Sequence, residues 1–121
     1  MRAVIGLAAI SDLDSYSLGA GDCNAAVLDL MGGRPEAQIA RYAAVNPVAL
    51  VPIGVPVTLV HGDADSTVPL EQSRRFAERQ LATGGLTELV VVRDAGHFDV
   101  IAPFGTVWPA IEEKIVASLA G

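Results

Sequence analysis

The chain has 121 residues, 51% of them hydrophobic and 18% charged, which is enough to build one buried core and excludes intrinsic disorder. Eight Lys+Arg against 14 Asp+Glu give a formal charge of −6, and the basic residues are scattered, so a phosphate-backbone surface for nucleic acid is excluded. One cysteine excludes an internal disulfide and a cysteine-rich metal site, and no apolar run approaches the ~18 residues of a membrane span.

Residues 3–10 are a continuous apolar run without alternation, the pattern of a strand covered on both faces. Met1-Arg2 followed by that run imitates a short secretory signal. The acidic Ser11-Asp12-Leu13-Asp14 then stands where a small-residue cleavage site would be, so the strand reading is preferred and a cytoplasmic location is expected. Residues 11–21 read as a loop. A helix is expected from Asp22 to Met31, stopped by Gly32-Gly33. Pro35 opens a second helix to about Ala44, with Ile39, Tyr42 and Ala43 on its buried face. The prolines at 47, 52 and 56 make residues 45–55 an irregular connection.

The second half is more regular. Residues 56–60 are a short apolar strand, followed by a loop from His61 to Val68. Pro69 opens a helix to about Ala82, with Leu70, Phe76, Ala77 and Leu81 buried and Gly84-Gly85 as its stop. Residues 87–92 are a second β-branched strand. A loop from Asp94 to Asp99 leads to a C-terminal helix carrying Trp108, Ile111, Ile115, Val116 and Leu119, with a turn or kink at Pro109. Strand, helix, strand, helix is a βαβα unit, so the fold class is α/β, a partial doubly wound parallel sheet of about three strands with flanking helices.

Parallel strands send their following loops to one edge of the sheet, where open α/β folds place ligands. Two loops leave that edge: His61-Gly62-Asp63-Ala64-Asp65-Ser66-Thr67-Val68-Pro69 and Asp94-Ala95-Gly96-His97-Phe98-Asp99. Asp65 lies five residues past Val60, and His97 five past Val92. The matched offsets place a carboxylate beside an imidazole, the acid–base part of a catalytic triad. Taken singly, an aspartate in a glycine-containing loop is a turn former and a histidine after glycine is structural; their paired placement favours the catalytic reading. Asp63, Asp94 and Asp99 read as turn or cap residues, His61 as a residue that orders its loop, and Trp108 and Phe104 as packing residues. A zinc site at His61, Asp65 and His97 has suitable ligand types but is set aside, because the sequence offers only two histidines.

With HGxxDxxVP matched by His61, Gly62, Asp65, Val68 and Pro69, and GHF by Gly96, His97 and Phe98, the chain resembles the C-terminal half of an α/β-hydrolase. The branch it resembles is the esterase, lipase, formamidase and dipeptidyl-peptidase-type group. The resemblance implies that Asp65 is the triad acid, that His97 is the general base, and that residues 1–121 are one domain without the nucleophile-bearing N-terminal half. It implies ester hydrolysis of small acyl substrates without a cofactor. The nucleophile motif GxSxG does not occur in the sequence. Ser17, in Ser15-Tyr16-Ser17-Leu18-Gly19, and Cys23, in Gly21-Asp22-Cys23-Asn24-Ala25, are imperfect substitutes. A nucleophile from another chain, and a non-catalytic module acting through assembly, remain open beside them. A strand apolar on both faces, in a chain of mean hydropathy +0.44, also leads us to expect a homo-oligomer.

Overall fold

A computed structural model describes residues 2–120. Three strands, β1 (Val4–Leu7), β2 (Val57–Gly62) and β3 (Thr87–Val92), form one parallel sheet in the order β1-β2-β3. β3 has the expected limits. β2 runs two residues further than its apolar run, because His61 and Gly62 pair with Val91 and Val92. β1 is half the expected length and only half-buried. The ladder stops after Leu7 because Ala8 takes a positive φ of 47°, although its N–H still donates to the Val60 carbonyl.

The loop expected at residues 11–21 contains a one-turn helix, α1 (Leu13–Tyr16), capped by the Asp12 carboxylate, which accepts from the Ser15 N–H. α2 (Asp22–Met31) has the expected bounds and ends on Gly32 at φ 75°. The helix expected over residues 35–44 is split. A 3₁₀ turn (Pro35–Ala37) precedes α3 (Ile39–Val45), with Gln38 between them at φ −133°, ψ 38°. Its expected buried face is corrected accordingly: Tyr42 is buried, whereas Ile39 and Ala43 are exposed. Residues 45–55 hold another 3₁₀ turn (Pro47–Ala49).

α4 (Glu71–Ala82) packs on one face of the sheet through Phe76 and Ala77 against Val57 and Leu59. α5 (Trp108–Ala120) lies against a separate cluster, in which Ile111 joins Ala8, Val60 and Val100, and Trp108 and Ile115 pack on it. Pro109 sits in the first turn of α5, where its missing N–H has no helical partner to lose, so it starts the helix without kinking it. Leu81 and Phe104, expected to pack, are exposed, as are Val116 and Leu119 of α5. In α4 the positions Leu81 would fill are taken by glutamines.

Those glutamines hold the loops to the sheet. Gln72 Oε1 accepts from the Ser11 and Asp12 N–H groups at 3.0 and 2.8 Å, and its Nε2 donates to the Asp12 carbonyl and Ser15 Oγ. Gln80, fully buried, exchanges two hydrogen bonds with the Ile53 backbone. The chain leaving β1 thus hydrogen-bonds to α4 as a strand would to a neighbour. Asp12 adds an ion pair with Arg75 at 2.7 Å. Burial raises the Asp12 carboxyl pKa, but hydrogen bonds from Arg75, Ser15 and Asn46 outweigh it and hold the group below its ordinary value. Gln72→Ala leaves two backbone donors without partners and is expected to cost on the order of 3 kcal/mol. Leu81→Ala, at an exposed position, is expected to cost within about 0.5 kcal/mol. Urea denaturation of both variants checks the contrast.

Candidate active site

The register of β2 with β3 brings the two loops into contact. The Asp63 N–H donates to the Val92 carbonyl at 3.0 Å and the Ala64 N–H to the Ala95 carbonyl at 3.1 Å. Gly62 is required between them, since a Cβ there would collide with the Ala95 carbonyl. Asp63 Oδ1 accepts from the Asp94 N–H at 2.7 Å, which holds Asp94 at its positive φ of 56°. Asp99 Oδ2 accepts from the Gly96 N–H at 2.6 Å and folds the histidine loop back on itself. These three aspartates therefore shape the loops, as expected of them.

Asp65 and His97 meet at the centre. Asp65 Oδ1 accepts from the Thr67 and Val68 N–H groups at 2.9 and 2.8 Å, a local Asx-type turn. Asp65 Oδ2 faces His97 Nδ1 at 2.8 Å. The Asp65 side chain is fully buried and that of His97 is 26% exposed. Burial pushes the Asp65 carboxyl up, but the Val68 N–H, the His97 ring and the Thr67 N–H outweigh it, so the group lies below the ordinary aspartate range. A carboxylate can only accept, so Nδ1 carries the proton in the neutral ring and Nε2 offers its lone pair. Phe98 packs edge-on to the imidazole, with ring centroids 5.1 Å apart.

His61 is buried behind the acid, with Nδ1 2.7 Å from Ser73 Oγ and Nε2 2.8 Å from the Val68 carbonyl. Both ring nitrogens are occupied, which leaves no lone pair for a metal and argues against the zinc arrangement. Tyr16 ties α1 to the same loop, its hydroxyl donating to the Thr67 carbonyl at 2.8 Å. Neither Ser73 nor Tyr16 was marked by the sequence motifs, and only Ser73's place one helical turn into α4 could have suggested it.

Ser17 and Cys23 are placed differently from an activated nucleophile. Ser17 caps the end of α1, is 2% exposed, and donates its hydroxyl to the Asp14 carbonyl at 2.7 Å. Cys23 lies exposed in the first turn of α2. Neither is on a strand-to-helix turn. Among the described residues, neither makes a hydrogen bond to His97.

A parallel sheet flanked by helices, with a paired acid and histidine at the carboxyl ends of two adjacent strands, defines an α/β-hydrolase fold. The chain belongs to the BD-FAE family, an esterase-type α/β-hydrolase domain, whose profile matches residues 1–80. That match takes in the Asp65 loop and stops before the His97 loop. Among solved structures, the chain is similar to a thermophilic esterase from the planctomycete Thermogutta terrifontis, with a TM-score of 0.69 and 27% identity over 98% of this chain and 41% of that one. It also shares its fold with a puromycin-hydrolyzing peptidase of Mycobacterium tuberculosis, with a TM-score of 0.78 and 24% identity over 98% of this chain and 18% of that one. Among curated proteins, it is 38% identical over 84 residues to 5-methylorsellinic acid synthase of Aspergillus terreus, a match that spans 65% of this chain and 3% of the synthase.

The depressed Asp65 pKa fixes the sign of an acid effect. Its contribution to stability is complete above the unfolded value of about 4 and is lost as the pH falls through the lower folded value. Urea midpoints followed downward from pH 7 should fall below about pH 4. In Asp65→Asn that fall should be shallower, with the remainder due to Asp12. Equal slopes in the two proteins would contradict this account.

Proposed function

We propose that this chain supplies the acid–base half of a carboxylic-ester hydrolase that acts on small to medium acyl esters through an acyl-enzyme. The observation that carries the reading is the 2.8 Å contact between Asp65 Oδ2 and His97 Nδ1. Membership of an esterase-type family and the likeness to the Thermogutta esterase support it. In this reading His97 Nε2 takes the proton of the nucleophile's hydroxyl as its oxygen attacks the ester carbonyl. The tetrahedral intermediate then expels the alkoxide, which receives that proton from the imidazolium. In the second half-reaction water gives a proton to His97 as its oxygen attacks the acyl carbonyl. The new tetrahedral intermediate expels the nucleophile's oxygen, which takes that proton back from the imidazolium as the acid is released. Asp65 holds the tautomer and stabilises the imidazolium. The reading calls for no cofactor.

The nucleophile in this proposal comes from polypeptide docked along the open edge of β1, since Ser17 is buried and spent on Asp14 and Cys23 lies on the outside of α2. Among the described residues β1 pairs only with β2 in the sheet, and the chain spans less than half the length of the structures it resembles. In isolation that edge is expected to pair with a second copy. Sedimentation at micromolar concentration should show a dimer or larger species. A soluble monomer with residues 3–10 protected from hydrogen exchange would contradict it.

The enzymatic reading is tested on short-chain aryl esters. His97→Ala should lower kcat by at least about 10³-fold, with a smaller loss for Asp65→Asn. Unchanged turnover in folded His97→Ala removes the proposal. Fluorophosphonate labelling with peptide mapping then locates the nucleophile. An adduct at Ser17 would show a rewired site. No adduct on the folded chain, even in its assembled form, would favour the module that acts through assembly without catalysis.

A further inference from the structure

One oxygen of Asp65 faces two imidazoles. His97 Nδ1 lies 2.8 Å from Oδ2, and His61 Nε2 lies 3.4 Å from the same atom. We infer that His61, held by Ser73, is a positioning residue for the Asp65–His97 pair, an inference that rests on the acid–base reading proposed above.

His61 and Ser73 are 0% and 1% exposed, so neither can satisfy its polar atoms with water. The partners decide the tautomer. The Val68 carbonyl and the Asp65 carboxylate can only accept, so Nε2 carries the proton and Nδ1 is left to accept from the Ser73 hydroxyl 2.7 Å away. The opposite tautomer would set the Nε2 lone pair against two acceptor oxygens. With Ser73 donating into Nδ1, the Nε2–H is aimed at Val68 O at 2.8 Å and lies within reach of Asp65 Oδ2.

That proton acts on the dyad by two routes. It fixes the carbonyl of Val68, whose own N–H donates to Asp65 Oδ1 at 2.8 Å, so residue 68 is clamped between the ring and the carboxylate. It also places the positive edge of the ring 3.4 Å from Oδ2, the oxygen that faces His97. The carboxylate is thereby held from both oxygens, with Oδ2 turned to His97. His61 stands at the end of β2 and Ser73 in the first turns of α4, so the rigid elements on either side of the acid loop set the angle of the acid. Burial alone accounts for a partner at each nitrogen; what ties the ring to the pair is the 3.4 Å approach of Nε2 to Asp65 Oδ2 and the shared hold on residue 68.

The test reads the Asp65–His97 hydrogen bond directly, through the low-field proton resonance of His97 Nδ1–H in the folded chain. His61→Leu should remove that resonance or move it upfield. His61→Gln, whose amide can still donate to Val68 O, should restore it. Ser73→Ala should weaken it with the ring still in place, and it carries the test if His61→Leu does not fold. In the form that turns over aryl esters, His61→Leu should lower kcat by about 10²-fold with KM within about twofold. A wild-type resonance in folded His61→Leu or Ser73→Ala would overturn the inference, as would a loss in KM alone. If the resonance responds as expected while His97→Ala leaves turnover untouched, the positioning role stands and the acid–base reading falls.

Discussion

The site depends on the parallel register that sets Gly62 of β2 opposite Val92 of β3. Both strands end at that level, so the two following loops start side by side and hydrogen-bond to each other within three residues. A slip of one residue would reverse the faces of every β3 side chain. It would also part the Asp63 N–H from Val92 O and the Ala64 N–H from Ala95 O. Gly62 enforces the close approach: any side chain there meets the Ala95 backbone, which cannot move without carrying Gly96 and His97 with it. The register of the core strands and the spacing of the acid from the histidine are therefore one constraint.

Much of this was legible in the sequence. β3 and α2 have the limits their composition predicts, because each is bounded by local signals: the glycines at 84–85, a β-branched run, and the glycines at 32–33. The juxtaposition of Asp65 and His97 follows from equal offsets after neighbouring parallel strands, which is why a pattern of residues could indicate a contact across 32 positions. What the sequence hid are features settled by tertiary partners. β1 stops at Leu7 because Ala8 takes a positive φ, and nothing in the apolar run marks that point. The run 3–10 looks like one strand because Ala8, Ala9 and Ile10, which leave the ladder, are as apolar as the strand before them.

The outward place of Leu81 has a tertiary cause. Periodicity assigns Leu81 and Ile39 to the interior because it ranks side chains by apolarity. The interior of α4, however, is needed for hydrogen-bond donors and acceptors. Gln72 and Gln80 occupy it because the segments crossing that face, residues 11–12 and 53, are irregular and bring unpaired backbone groups with them. A buried glutamine matches an isolated amide N–H and C=O as a neighbouring strand would, and a leucine in its place would leave them unsatisfied. Once the glutamines take the inward positions, helical geometry turns Leu81 outward. The same reasoning applies to His61, an ionisable ring in the centre of the sheet that stays there because each of its nitrogens has a partner.

The two halves of the dyad are therefore secured unequally. Asp65 is held by Thr67 and Val68 of its own loop, with His61 behind it, so its orientation is set as soon as β2 and α4 are in place. His97 contributes one ring nitrogen to a single contact, sits partly in solvent, and is backed by a loop whose own closure is the Asp99–Gly96 hydrogen bond. Its edge-on neighbour Phe98 is itself exposed, as are Ile101 and Phe104. Local opening free energies follow buried contacts, so the histidine side opens more readily than the acid side. The buried carboxylate is the fixed member of the pair, and its hydrogen bonds hold its pKa below the ordinary aspartate range. Orientation of the imidazole then comes from an already rigid acid, and Nε2 is left without a hydrogen-bond partner among the described residues.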